Sequence, residues 1–234
     1  MARIVSPEGS LGGILIFAGL SAQALERIEP HCKWQVYKPG ASIITNLDSS
    51  SDVFFVDSGE VRVSIHSASG KAISFLELGP GDVFGEYPAI AGGVRSASVE
   101  ARTKCRLASL PGGIFRELLQ SEPKVALALL PQLVERIRAL TLRVYEFSTL
   151  AANNRVQAEL LRLARLASPE GNVARITPPP THADMASHIS THREAVTREL
   201  SRLARIGVVE RGPGLLVVMD VARLAQMVHE ATNE

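Results

Sequence analysis

Apolar and polar residues alternate with two different periods along this chain. Between Trp34 and Leu110 the runs are short: WQVYK, SIIT, DVFFV, EVRVSI, AISFLEL, RSASVEA and CRLASL. Alternation every second residue is the pattern of a strand with one face covered. Pro39-Gly40, Ser58-Gly59, Ser69-Gly70 and Gly79-Pro80-Gly81 fall between the runs and mark turns. Many short strands at even spacing predict a small antiparallel sandwich or roll.

From Pro123 to Ala152 the period becomes helical. Leu130, Leu133, Ile137, Leu140, Val144, Phe147 and Ala151 fill alternating a and d positions, which predicts a coiled-coil seam between two copies of the chain. The alternative is a helix packed on its own domain. Pro131 is expected to kink or restart this helix. Asn153-Asn154 then offers a hinge before a further helix over 155–167. Pro178, Pro179 and Pro180 make a stiff approach to the segment that begins at Thr181.

The stretch from Thr181 to Ile206 reads as two short helices around a sharp turn. Thr191 with Glu194 fits a capping box at the second helix, and Thr181 with Asp184 gives a looser one at the first. Ala186 would let the helices approach, Ser190 would turn the chain and Val196 would plug between them. On the second helix Val196, Leu200 and Leu203 share one face, opposite Glu194, Arg198, Arg202 and Arg205, with Arg193 projecting from the first turn. An apolar back and an arginine-rich front suit a helix laid in a DNA major groove. A helical hairpin with a solvated charged face is the alternative. Val208 to Val218 comes next as two strands around a tight turn, a small wing, and Asp220 is placed to cap a closing helix over 221–229.

Composition narrows the picture modestly. The chain has 234 residues, enough for two domains, and its 46% apolar and 21% charged content is ordinary for a globular protein. Net charge is +1, so any nucleic-acid affinity must come from local placement. From Ala151 onward there are ten Arg, no Lys and nine acids, a balance that favours fork-shaped hydrogen bonding. Cys32 and Cys105 fit neither a disulfide framework nor a metal motif. His182, His188 and His192 fall in one domain, but their spacing scatters them around its helices as surface histidines, so no metal site is expected. Leu11 to Leu20 is apolar, and Ala22-Gln23-Ala24 faintly mimics a cleavage site. Glu8 in the leading segment and a capped amphipathic helix starting at Ser21 argue against a leader. The apolar stretch is too short to span a bilayer, so a cytoplasmic protein without membrane partners is expected. No nucleophile–base pair, metal motif or paired acids suggest an enzyme, and no catalytic residue is expected.

A second stretch carries chemistry: Gly81-Asp-Val-Phe-Gly-Glu-Tyr87, then Arg95-Ser96. Gly85 permits close backbone approach, and the residues after it could begin a helical turn. Arg95 and Ser96 offer a charged fork and a hydroxyl to a phosphate, while Glu86 could accept from a ribose hydroxyl. The alternative is a plain Glu86–Arg95 ion pair.

A glycine-punctuated β-roll with GDVFGE and RSA, a long helix, and a winged helix-turn-helix with R-E-x-V-x-R together resemble the cyclic-AMP receptor protein/fumarate-nitrate regulator superfamily of bacterial transcription factors. The likeness covers about residues 15 to 229. It implies an α+β fold: a β-roll domain over 1–122, a dimerisation helix and hinge over 123–152, and a winged helix-turn-helix over 153–234. It also implies a homodimer that binds double-stranded DNA under the control of cyclic AMP or cyclic GMP, with RNA polymerase as partner and no prosthetic group. The ribose would meet Gly85 and Glu86, and the cyclic phosphate Arg95 and Ser96. The base would meet the pair at Leu140 and Thr141, where the cyclic-AMP receptor has Thr-Ser; Leu140 has no side-chain hydrogen bond to offer. Arg193, Glu194 and Arg198 would read a palindrome similar to TGTGA. Thr181, His182 and His192 would reach phosphates. The four clustered cysteines of an iron–sulfur member are missing. Other effectors remain open: another small molecule, a haem (with His66 as axial ligand), or none.

Overall fold

The computed structural model describes residues 9–66 and 72–233. They form two compact units, Met1–Ile137 and Arg138–Glu234. The Ser69-Gly70 turn and the side chain of His66 lie outside the described residues.

In the first unit the apolar stretch after Ser10 forms two 3-10 turns, Leu11–Gly13 and Leu15–Phe17, with Leu11, Ile16 and Phe17 buried. Helix α1 (Ala22–Ile28) starts as expected at Ser21, whose hydroxyl accepts from Ala24 N at 3.2 Å. The roll comprises β1 (Lys33–Tyr37), β2 (Ser42–Ile44), β3 (Val53–Ser58), β4 (Val61–His66), β5 (Ala72–Leu78), β6 (Val83–Phe84), then α2 (Glu86–Ala91), β7 (Ser98–Ala101) and β8 (Cys105–Leu110). They build two antiparallel sheets, ordered β1-β8-β3-β6 and β2-β7-β4-β5. The sequence runs anticipate these strands except β6, whose two residues are too few to show a period. Successive residues of β3 serve two cores. Val53 and Phe55 join Phe17, Phe115 and Val125, while Phe54 and Val56 join Ile44, Val61 and Leu107. Both faces of β3 are covered, so its four apolar residues run without a break.

Helix α3 (Gly112–Ser121) leads into α4 (Pro123–Thr149). Pro131 lies inside α4 and does not restart it, so of the two expected outcomes the restart is ruled out. Proline removes one backbone donor, and the turn before it is held by Val125 and Leu129, both buried. The helix stops at Leu150-Ala151, not at Asn153-Asn154. Ala151 is extended and caps α5 (Ala152–Leu166), which takes both asparagines into its first turn. Ala151 therefore drops out of the proposed seam.

The second unit continues with β9 (Ala174–Ile176), α6 (His182–His188), α7 (Arg193–Arg205), β10 (Val209–Gly212), β11 (Leu215–Val218) and α8 (Val221–Asn233). Its sheet, β10-β11-β9, adds a third strand to the expected two-stranded wing. Asp220 caps α8 as expected, accepting from Arg223 N at 2.8 Å. Val196, Leu200 and Leu203 point into a core with Val156, Leu160, Met185 and Ala186. Each such side chain contributes about 1.5–3 kcal/mol by leaving water.

Candidate functional site

Gly85 ends β6 and caps α2 with φ +77°. A Cβ there would lie 2.8 Å from Arg95 Nη1 and 3.0 Å from Asp52 O, so both backbone shape and space demand glycine. Arg95 is 2% exposed. Its Nε donates to Ser50 Oγ at 3.0 Å, Nη1 to Gly85 O at 2.8 Å and Nη2 to Asp52 O at 2.9 Å. Burial pushes its guanidinium below the ordinary value, against the pull of Asp52, Asp48 and Glu86. The next residue, Ser96, is exposed.

Glu86 does not pair with Arg95. Its Oε1 accepts from Arg136 Nη1 of α4 at 2.6 Å, and Arg136 Nη2 donates to Val83 O at 2.6 Å. Burial raises the Glu86 carboxyl above the ordinary range, with Arg136 opposing. Sequence reasoning does not single out Arg136. Its only signal there is a cation on the helix the seam assigns to dimerisation, and an exposed arginine gives the same signal. Gly85, Glu86 and Arg95 are thus brought together around one turn. Leu140 and Thr141 lie farther along α4, Leu140 42% exposed and Thr141 exposed.

The helix-turn-helix forms where expected. Thr181 Oγ1 accepts from Asp184 N at 3.0 Å, Ser190 turns the chain at φ +50°, and Ala186 and Val196 are buried. The second capping box does not form: His192 caps α7, without a side-chain bond. Thr191 and Glu194 fit the spacing, yet Thr191 is buried in the turn, where its N donates to Ala186 O at 2.9 Å. The helix accordingly begins one residue later than the box requires.

Arg193, Glu194, Arg198 and Arg205 are exposed on α7. Arg202, on the same side and with its side chain 41% exposed, is tied back to the helix. Its Nη2 and Nε hold Glu199 at 2.7 and 2.8 Å, and the buried Glu199 also accepts from Gln157 of α5 at 2.7 Å. A groove beside α7 is lined by Asn153, Thr197, Arg198, Ser201, Arg202 and Arg205 among others.

The histidines part company. His192 and Thr181 are exposed. His182 is half-buried and bonded to Thr197 and Arg211. His188 is not a surface residue: its side chain is 14% exposed, its Nδ1 lies 2.9 Å from Glu159 Oε1, and Arg143 Nη2 lies 3.2 Å from its Nε2. Burial would raise the Glu159 carboxyl, but its bonds to Arg162 and His188 outweigh that and bring it down to about 2. The signal missed was periodicity. His188 falls on the side of α6 that faces α5, which the spacing of histidines alone does not show. Among the described residues no group of three or more His, Cys, Asp or Glu could hold a metal ion, and no helix is long and apolar enough to cross a membrane.

The cyclic nucleotide-binding domain family matches residues 34–122, and the Crp-like helix-turn-helix domain family matches residues 154–227. The cyclic AMP receptor protein of Thermus thermophilus is 32% identical over 215 residues, 92% of this chain and 97% of its own length. A CooA mutant from Carboxydothermus hydrogenoformans superposes with TM-score 0.80 at 19% identity, covering 92% of this chain and 95% of that one. The c-di-GMP responsive global regulator CLP of Xanthomonas campestris superposes with TM-score 0.73 at 20% identity, covering 85% and 99%.

Proposed function

Because the chain belongs to the cyclic-AMP receptor protein/fumarate-nitrate regulator superfamily of transcription regulators, with a cyclic nucleotide-binding domain and a helix-turn-helix, we propose that it is a homodimer whose binding to a palindromic DNA site is switched by cyclic AMP or cyclic GMP. The observation that carries this reading is the buried Arg95 guanidinium beside Gly85, Glu86 and the exposed Ser96. Three of its donor bonds hold the surrounding loop, which fixes the fork in place. The remaining N–H groups and the Ser96 hydroxyl suit a cyclic phosphate. Glu86, oriented by Arg136, supplies the acceptor for a ribose hydroxyl. Thr141 is the polar group proposed to meet the base.

The DNA end rests on Arg193 and Arg198, exposed and able to fork onto guanine, and on Glu194, able to accept from cytosine. The apolar row on α4 supports the homodimer: Leu130, Ile137, Leu140 and Val144 are between 42% and 64% exposed within one chain. The segments proposed from sequence are the roll over 1–122, the dimer helix over 123–152 and the DNA-binding module over 153–234. Activation of transcription would bring RNA polymerase to the same site, in the cytoplasm. We expect no catalytic activity and no prosthetic group.

The Thermus relative carries cyclic AMP in its name, whereas a c-di-GMP responsive regulator shares the fold, so the fold alone does not choose the effector. Calorimetric titration of the purified protein with cyclic AMP and cyclic GMP, repeated with selected DNA present, tests the proposal. Saturable heat from one nucleotide and tighter DNA binding in its presence is the expected result. No heat from either nucleotide, with DNA binding intact, would move the regulator to another effector or to none.

A further inference from the structure

The wing and α7 are joined by a hydrogen-bond chain that uses no base-reading side chain. Its centre is His182, the first residue of α6. The ring Nε2 is bonded to Arg211 Nη2 of β10, and Nδ1 lies 2.6 Å from Thr197 Oγ1 on α7. A guanidinium carries donors only, so Nε2 must be the nitrogen with the lone pair. In the neutral ring the proton then sits on Nδ1 and is donated to Thr197. Thr197 Oγ1 donates in turn to Arg193 O at 2.9 Å. The chain therefore runs in one direction, from the wing arginine to the first turn of α7. Arg211, Thr197 and Arg193 are all exposed, and Thr197 lines the groove that also holds Arg198.

The geometry points to neutral His182 as a positioning residue for DNA readout: it fixes Arg211 of the wing, a cation for the DNA backbone, against the start of the recognition helix. This rests on the DNA-binding reading above. Protonation breaks the chain at one defined place. An imidazolium has two donors and no acceptor, so it cannot hold Arg211. The charged groups facing the ring are Arg211 from β10 and Arg193 from α7, with Asp184 as the acid on its own helix. Burial, then Arg211 and Arg193, keep the His182 pKa below its ordinary value of 6.5. For a lowered pKa the bonded state is complete above 6.5 and is lost as pH falls through the lower value of the folded protein.

The test compares affinity for a site selected from random DNA with affinity for scrambled DNA, from about pH 8 to about pH 5, a range that brackets histidine titration. In the wild type the ratio should fall roughly tenfold on acidification, as a charge-assisted bond is lost. Scrambled-DNA affinity should rise with the added charge. His182→Gln keeps an acceptor and a donor without a charge, so its ratio should stay flat. His182→Lys should show the low ratio already at about pH 8. Nitrogen-15 spectra of the DNA-free protein should show the proton of His182 on Nδ1. A proton on Nε2, or a pH dependence unchanged in His182→Gln, would overturn the assignment alone. A wild type with no preference for any site at about pH 8, its Nδ1 proton in place, would overturn the DNA reading and the positioning role with it.

Discussion

Arg95 donates to Ser50, Gly85 and Asp52 before any ligand is considered, so it is frame as well as proposed phosphate contact. Replacing it with leucine would remove its bonds to two partly covered carbonyls, Gly85 O and Asp52 O, so a lost ligand affinity would then say little. Ser96 is the cleaner probe because it is exposed. Ser96→Ala should leave the unfolding midpoint in urea nearly unchanged, within about 0.5 kcal/mol. Cyclic-nucleotide affinity should fall by roughly three- to tenfold for one lost hydrogen bond. Undiminished affinity in calorimetry would take the phosphate away from this turn. Gly85→Ala makes the complementary prediction. It places a side chain at φ +77° and 2.8 Å from Arg95 Nη1, so both stability and ligand affinity should drop, stability by about 1–3 kcal/mol.

At the scale of elements, what the sequence revealed was what repeats. The strands of the roll, the apolar back of α7 and the caps at Ser21, Thr181 and Asp220 each arise from a local period or a local bond. What it hid was set by contacts across elements. Arg136 reaches Glu86 from fifty residues away, and Glu199 is buried because Gln157 of α5 meets it. The end of α4 escapes the sequence pattern because asparagines signal a boundary, yet a helix tolerates them in its first turn. Within the second unit, α4, α5 and α6 meet at Arg143, Glu159 and His188. The Glu159 carboxyl titrates at about 2 instead of 4.5, so its stabilisation is complete above pH 4.5 and lost as pH falls toward about 2. That shift corresponds to about 3 kcal/mol. Glu159→Gln should therefore destabilise the protein at neutral pH by about 1–3 kcal/mol, held below the range for fully buried pairs by the 46% exposed Arg162. Its acid unfolding should also be less steep than that of the wild type. Parallel acid curves for the two proteins would show that Glu159 contributes little to acid unfolding.

At the scale of the whole molecule, two recognition helices are needed to read a palindrome, and the α4 seam is the proposed means of pairing them. Val144 is 64% exposed and Leu130 55% within one chain. A glutamate at either position would put two like charges face to face across the seam. Val144→Glu should sediment as a monomer at micromolar concentration while each chain keeps its fold by circular dichroism. Affinity for the full palindrome should fall to that for a half-site, because half-sites about 34 Å apart demand two helices at one fixed spacing. A dimer of unchanged stability would place the interface elsewhere. If the dimer holds, nucleotide and DNA must be linked in both directions: whatever factor the nucleotide adds to DNA affinity, DNA must add to nucleotide affinity. Coupling of about 1–3 kcal/mol would appear as a 5- to 150-fold shift in each titration. Thr141 gives the linkage a chemical handle as the proposed base contact. Thr141→Ala should change the preference between cyclic AMP and cyclic GMP, and in the variant, as in the wild type, the factor by which nucleotide shifts the DNA titration should equal the factor by which DNA shifts the nucleotide titration. Unequal shifts in the two titrations would mean that a third equilibrium, such as dimerisation itself, stands between the ligand and the DNA.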